Sequence, residues 1–469
     1  MAKKEVVKVK ENIKRIHFIG IGGISMSGIA EILAGKGYIV SGSDVKDSHL
    51  LDRLRSKGIK VFVGHHEENV REAELVVITS AIPESNPELR YAREKGLRVL
   101  KRAEMLAELM KGLRGIAISG THGKTSTTAM TAVLLLEGKK DPVIMLGGEL
   151  DIINGNVYAG KGEYLLTEAD ESDGSLLYYD PEIIAVTNLE LDHQDYYGSE
   201  DKLLQTFAEF FRKVPREGRI ILNAEDGKLM NLVDSSDPRV ITYGIEKGDI
   251  RAEDIKLYPF GSIYTLTIEG KKIDNINLKV PGRHNILNSL AAIGIALEAG
   301  MNYEEIKKGL EKYTGVKRRF EKKGLLGDIL VIDDYAHHPT EIEATIRAAR
   351  NTGYERIIVV FQPHRYTRTR DLMKEFVHSF KDIEHLIITE IYSAGEEAIP
   401  GIDGRRLSEE IARKKTFPVD FIAEKEDVAD YLTRIVRSKD LVITMGAGDV
   451  YEVGNLFLEK MKKKLREMA

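Results

Sequence analysis

The stretch Gly115–Thr128, GIAISGTHGKTSTT, constrains this chain more than any other. Its apolar run Ile116-Ala117-Ile118 reads as a buried parallel strand, which stops at Ser119-Gly120-Thr121-His122-Gly123 before a helical pattern starts at Lys124. Strand, glycine turn and helix start in that order aim unsatisfied backbone N–H groups and a helix dipole at one point, which makes an anion site. Lys124 adds a mobile cation for outer phosphates, and Thr125 adds a hydroxyl of the kind that ligates Mg²⁺. The long phosphate-loop pattern needs Gly where Ile118 stands, so the match is to the shorter form Gly120-x-x-Gly123-Lys124-Thr125. An ATP site in an α/β domain is the expectation.

A second glycine turn lies near the N-terminus. Residues 15–43 read strand, turn, helix, strand, with the turn Gly20-x-Gly22-Gly23-x-Ser25-x-Ser27-Gly28. A dinucleotide fingerprint would place Gly at Ser25, so that match is incomplete, while Gly20, Gly22 and Gly23 still permit close backbone approach to a pyrophosphate. Asp44, at the end of the second strand, stands where such folds hold a ribose hydroxyl. A nicotinamide cofactor, a nucleotide-sugar and a purely structural βα turn all fit this segment on its own.

With 469 residues the chain needs several cores. We place boundaries at the Lys111-Gly112 bend and near Thr314-Gly315, giving domains 1–111, 112–314 and 315–469. The fold class is α/β throughout. A Rossmann-like N-terminal sheet is followed by a central P-loop ATPase-like domain carrying a small antiparallel sheet, and by a Rossmann-like C-terminal domain. The small sheet is expected at Ile255–Tyr258, Ser262–Ile268 and Ile276–Val280, where apolar and polar residues alternate. Elsewhere each apolar run empties into polar, basic or glycine-bearing residues. Glu163–Thr167 delivers Glu168-Ala169-Asp170-Glu171, Glu182–Asn188 delivers Glu190 to His193, and Arg356–Phe361 delivers His364 to Arg370. Carboxyl ends of parallel strands form the ligand crevice in such sheets. Taken alone, the acidic cluster also matches a solvated loop, and the pair Asn285 and Asn288 on one helical face fits capping as well as base recognition. Spaced three apart, Arg365 and Arg368 are expected on one side of a short helical turn, whereas the side chains of the adjacent pair His337-His338 should diverge.

Composition excludes several classes. A net charge of −5 gives no electrostatic case for nucleic acid, and no apolar run approaches the length of a membrane span. The basic start MAKKEVVKVKENIK has no apolar segment behind it, so no secretory signal is expected. The absence of Cys removes thiol nucleophiles and thiolate metal sites and fits a reducing cytoplasm, leaving oxygen and imidazole as metal ligands, hence Mg²⁺ or Mn²⁺.

Together the motifs GIGGISMSGIA (20–30), GTHGKTSTT (120–128), TEADESDGS (167–175), NLELDHQDYY (188–197), GRHNILNSLAA (282–292), GVKRRFE (315–321), DDYAHHPTEI (333–342) and FQPHRYTRT (361–369) resemble the Mur ligases of peptidoglycan synthesis. The resemblance covers nearly the whole chain, and the first and last two of these motifs are those of the alanine-adding branch. It implies a ligase that joins L-alanine to the carboxylate of UDP-N-acetylmuramate at the expense of ATP, through an acyl phosphate, with domain closure excluding water. It implies UDP-sugar contacts from Gly20, Gly22, Gly23, Ser25, Met26, Ser27, Asp44 and Ser80. ATP would be met by Gly120, Thr121, His122, Gly123, Lys124, Thr125, Ser126, His284, Asn285, Asn288, Arg319 and Asp334. Thr125, Glu168 and His193 would organise Mg²⁺ or Mn²⁺, and His337, His364, Arg365 and Arg368 would serve the acyl phosphate and the amino acid. Lys124, Glu168, His193, Arg365 and Arg368 are the implied catalytic set. Small-molecule partners, no nucleic acid, no membrane, a cytoplasmic monomer or homodimer complete the expectation. The competing readings are an NAD-dependent dehydrogenase and a regulator that binds ATP and a cell-wall precursor without forming a bond.

Overall fold

A computed structural model describes residues 13–79, 81–191 and 194–468, and the side chains of 192–195 and of 468 are left aside. The expected site residues Ser80 and His193 lie outside the described residues. The chain forms two compact units, each described by itself. One runs to Glu253 and includes Thr265–Ile276 and Leu287–Lys312; the other comprises Asp254–Tyr264, Asn277–Ile286 and the chain from Tyr313 onward.

The first unit holds two sheets. Five parallel strands lie in the order Lys60–Val63, Ile39–Asp44, Arg15–Ile19, Leu75–Ile78, Arg98–Lys101. Order reverses at Arg15–Ile19, so the turn that follows it, Gly20–Gly23, opens at the topological switch point where such sheets bind ligands. The second sheet runs Val240–Gly244, Arg219–Asn223, Ile183–Val186, Arg114–Ser119, Tyr164–Glu168, Val143–Leu150, Gly155–Ala159, and only the last strand is antiparallel to its neighbour. The strand before the phosphate loop therefore lies between the two strands whose ends carry Glu168 and Asn188–Glu190. Strands covered on both faces read as continuous apolar runs, and all four residues of Ile183–Val186 are buried.

Ile250–Tyr258 begins beside Val240–Gly244, and Gly261–Ile268 and Lys271–Leu278 follow as the expected alternating strands. The third begins earlier than the alternation suggests. Glu269 and Gly270 both take positive φ (47° and 76°), a two-residue hairpin turn that fixes its start at Lys271. It also ends two residues early, ahead of Pro281, which has no N–H for a ladder.

The second unit carries a six-stranded sheet in the order Glu321–Leu326, Ile329–Asp334, Asp440–Met445, Arg356–Phe361, His385–Ile388, Val419–Phe421, parallel except the first. Its central strand Asp440–Met445 is buried along its whole length. Among the described residues no helix is long and apolar enough to cross a membrane.

Candidate active site

In the first unit the N-terminal turn is built from its own backbone. Gly20 and Ile21 donate their N–H groups to the Ser43 carbonyl (2.8 and 3.0 Å), and Gly22 donates to Asp44 Oδ2 at 2.8 Å. A Cβ on Gly22 would sit 2.8 Å from that same oxygen, so a larger residue would push the Asp44 carboxylate off this hydrogen bond. Asp44 thus shapes the turn. Gly23 is exposed and caps the Ile24–Gly35 helix without any side-chain hydrogen bond, the arrangement that leaves helix N–H groups directed outward. Ser25 is half-buried, whereas Met26 and Ser27 are buried beneath the turn, Ser27 donating to the Ile24 carbonyl at 2.9 Å.

A group that sequence reasoning missed lies behind this turn. Glu88 is fully buried and accepts from Ser43 Oγ (2.5 Å) and Asn69 Nδ2 (2.7 Å), with His17 Nε2 at 3.3 Å. Burial pushes this carboxyl upward, but those hydrogen bonds outweigh it and its pKa lies below the ordinary value. An ionised carboxylate therefore ties the first two strands to the segment beyond Val63. Only the tertiary fold reveals it, because its partners lie up to 71 residues away.

The phosphate loop is equally ordered. Gly120 and Gly123 take positive φ (120° and 86°), and a Cβ on Gly123 would meet Asn288 Oδ1 at 2.6 Å. Thr121 N donates to the Asn188 carbonyl (3.1 Å), His122 N to Asn188 Oδ1 (2.9 Å), and His122 Nε2 lies 3.2 Å from Glu190 Oε2. Lys124, first residue of the Lys124–Glu137 helix, turns back so that Nζ donates to the Gly120 carbonyl at 2.6 Å and to both Glu171 oxygens at 2.9 Å. Burial works against the ammonium, but the charges of Glu171, Asp170 and Glu168 prevail and its pKa rises. Ser126 is buried in the same first turn of the helix. Glu171 is the second missed residue. A buried lysine needs a counter-charge, and the run Glu168–Glu171 is the nearest source of one in the sheet.

Thr125 Oγ1 donates to Glu168 Oε2 at 3.0 Å, and Gly147 N donates to Glu168 Oε1 at 2.7 Å. A hydroxyl and a carboxylate side by side at the mouth of a phosphate loop are hard oxygen donors, the set that Mg²⁺ prefers. These two residues fit such an ion.

In the second unit Asp334 ends a strand of the sheet, His337 follows it, and His364, Arg365 and Arg368 follow the carboxyl end of Arg356–Phe361. Asp334 accepts from Phe320 N (2.8 Å), Ala336 N (2.9 Å) and Thr345 Oγ1 (3.1 Å); burial raises its pKa to about 6 against the pull of Arg319. It pins the loop that carries Arg319, whose guanidinium lies 5.0 Å from the Tyr335 ring. Asn285 is buried and donates to the Pro281 carbonyl at 2.7 Å. His284 opens onto a cavity of about 510 Å³ lined by apolar Leu257, Ala344 and Ala348 and by polar groups that include Arg347, Arg350 and Asp382. Crowding by the surrounding protein, then Arg319 and Arg347, push this imidazole down to about 4.

His364 stacks flat on Tyr392 (5.6 Å, 9°) and meets the His337 ring at 5.7 Å. Arg368 Nη1 donates to His364 Nδ1 at 3.3 Å. A guanidinium can only donate, so Nδ1 is the acceptor and the ring proton of the neutral imidazole sits on Nε2. Burial first, then His337, Arg368 and Arg365, push His364 down to about 3, which keeps it neutral near pH 7. His337 Nδ1 lies 3.0 Å from the Tyr335 carbonyl, and His338 caps the Pro339–Arg350 helix, so the adjacent pair diverges as expected. Contrary to expectation, Arg365 and Arg368 do not share one helical face. The helix is Tyr366–Asp371, and Arg365 precedes it with φ 71° and ψ 138°, a conformation outside the helical region. Its guanidinium is half-exposed, while Arg368 is buried.

Three family models match in sequence: the Mur ligase family catalytic domain at residues 15–114, the Mur ligase middle domain at 118–296, and the Mur ligase glutamate ligase domain at 318–448. The UDP-N-acetylmuramate–L-alanine ligase of Geotalea daltonii is 46% identical over 96% of this chain and 99% of its own. That of Acetivibrio thermocellus is 46% identical over 95% of this chain and 96% of its own. Among solved structures, the UDP-N-acetylmuramate–alanine ligase of Thermotoga maritima superposes with a TM-score of 0.82 at 29% identity, covering 96% of this chain and 99% of that one.

Proposed function

The chain belongs to the Mur ligase family, and we propose that it joins L-alanine to the carboxylate of UDP-N-acetylmuramate with cleavage of ATP to ADP and phosphate, in peptidoglycan synthesis. The observation that carries this reading is the Lys124–Thr125–Glu168 arrangement at the phosphate loop, in a chain 46% identical to ligases so named. The muramate carboxylate oxygen attacks the γ-phosphorus, the bond to the β-phosphate oxygen breaks, and ADP leaves. The alanine nitrogen then attacks the acyl carbon, the carbon–oxygen bond to phosphate breaks, and the amine gives up its proton. Two anions must meet in the first step, so its barrier is governed by charge. Lys124 and the backbone N–H groups of Gly120–Gly123 would stabilise the phosphates. Thr125 and Glu168, with His193, would hold Mg²⁺, which when bound offsets phosphate charge. Gly20–Gly23 would receive the pyrophosphate of the UDP-sugar. The cavity at His284, where apolar Leu257, Ala344 and Ala348 meet arginines and Asp382, would take a nucleotide base. Arg365 and Arg368 would hold acyl phosphate and amino-acid carboxylate through planar two-point contacts. A neutral His364 adds no charge to repel the incoming ammonium. Domains 1–111, 112–314 and 315–469 would bear the sugar, the ATP and the amino acid respectively, and these substrates imply a cytoplasmic location.

Phosphate release with each substrate omitted in turn tests the reading. Rapid release is expected only with ATP, Mg²⁺, UDP-N-acetylmuramate and L-alanine together. Release at an equal rate without the sugar nucleotide, or tight NAD binding in its place, would overturn it.

A further inference from the structure

Arg365 occupies a backbone conformation (φ 71°, ψ 138°) that a side chain-bearing residue adopts only under outside restraint. The restraint comes from the segment Tyr392–Glu396. Arg365 N donates to the Tyr392 carbonyl at 2.9 Å, and Tyr392 N donates to the Pro363 carbonyl at 2.9 Å. His364 and Tyr392 thereby form a short parallel bridge beyond the end of the sheet, with their rings stacked. Ala394 and Gly395, both at positive φ (49° and 87°), then turn the chain back. Glu396 arrives beside the Tyr366–Asp371 helix, where it accepts from Thr367 N (3.1 Å) and Thr367 Oγ1 (2.6 Å) and lies 3.8 Å from Arg365 Nη1. Behind Tyr392 the chain leaves no slack, because a Cβ on Gly448 would sit 2.7 Å from Tyr392 Cγ.

We propose that Glu396 is a positioning residue for the amino-acid half of the reaction: its carboxylate holds the Arg365 guanidinium and the start of the Arg368-bearing helix in one orientation. The proposal rests on the ligase reading above. An acid four-fifths buried beside an arginine that precedes a six-residue helix holds more than that helix. As a cap alone it would need only the contact to Thr367 N, which an amide oxygen supplies, while the Thr367 hydroxyl can turn to accept from the amide nitrogen.

Glu396→Gln keeps an acceptor for Thr367 N and removes the charge facing Arg365. In the full-length protein, we expect the KM for L-alanine to rise about tenfold, with KM for ATP and UDP-N-acetylmuramate and the melting temperature unchanged. Glu396→Ala should raise the alanine KM further. Partial unfolding of either variant lowers the active concentration and hence apparent kcat, but leaves KM intact, so the split remains readable. An unchanged alanine KM in both variants, or an equal rise in all three, would overturn the positioning role. Failure of the ligase reading is distinct, since wild-type protein would then show no alanine dependence to perturb.

Discussion

Lys124→Ala is expected to lower turnover by at least about 10³-fold, roughly 4 kcal/mol of transition-state stabilisation, the scale of losing one preorganised charged donor. Lys124 also has a structural partner. Its ammonium lies 2.9 Å from both oxygens of Glu171, whose side chain is almost wholly buried. Removing the lysine leaves that carboxylate without its cation, which costs about 3–5 kcal/mol if it stays ionised. Burial already raises the Glu171 pKa, with Lys124 pulling it down, so the variant should bind a proton there instead. The sign follows from linkage. The folded variant holds that proton more tightly than the unfolded chain, so its stability falls as pH rises above the ordinary carboxylate range and recovers as pH falls. Lys124→Ala combined with Glu171→Gln should restore the melting temperature at neutral pH while turnover stays lost. Turnover within tenfold of wild type in either variant would contradict the assignment.

Arg368→Lys is expected to reduce kcat/KM for L-alanine by about 2–4 kcal/mol, with equilibrium binding of ATP hardly moved. The substitution keeps the charge and removes the fork, so what is lost is geometry. Arg368 is buried and directs one guanidinium nitrogen at His364 Nδ1, and the planar spread of the whole fork is what a lysine cannot reproduce. His364 titrates near 3 and stays neutral throughout the usual assay range, so the loss should be uniform from pH 6 to 9. Poor ATP binding with normal turnover at saturating ATP would move Arg368 to the nucleotide side.

The parts legible in the amino-acid order are those governed by local rules. Apolar runs mark the parallel strands, and because parallel strands end at one edge, Glu168, Glu190 and His364 are assignable to that edge from sequence alone. Glycines 120 and 123 announce the phosphate loop through the backbone angles it needs. Residues whose meaning depends on a distant partner are silent. Glu88 looks like an ordinary acid in the first turn of a helix, yet it is the buried anchor of the N-terminal turn. Glu171 sits in a run that reads as solvated loop, and its role appears only when Lys124 folds back on it. Spacing three suggests a common face for Arg365 and Arg368, but spacing carries that meaning only inside a helix, and Arg365 precedes one. The tether that holds it comes from Glu396, which no local pattern connects to it.

In the proposed reaction the muramate carboxylate is phosphorylated before alanine attacks. UDP-N-acetylmuramate labelled with ¹⁸O in both carboxylate oxygens tests it in one turnover mixture with ATP, Mg²⁺ and L-alanine. The carboxylate oxygen that attacks phosphorus remains with phosphate when the acyl carbon–oxygen bond breaks. One ¹⁸O is expected in each phosphate released and one in the new amide. Phosphate free of ¹⁸O, formed at the same rate as product, would contradict it.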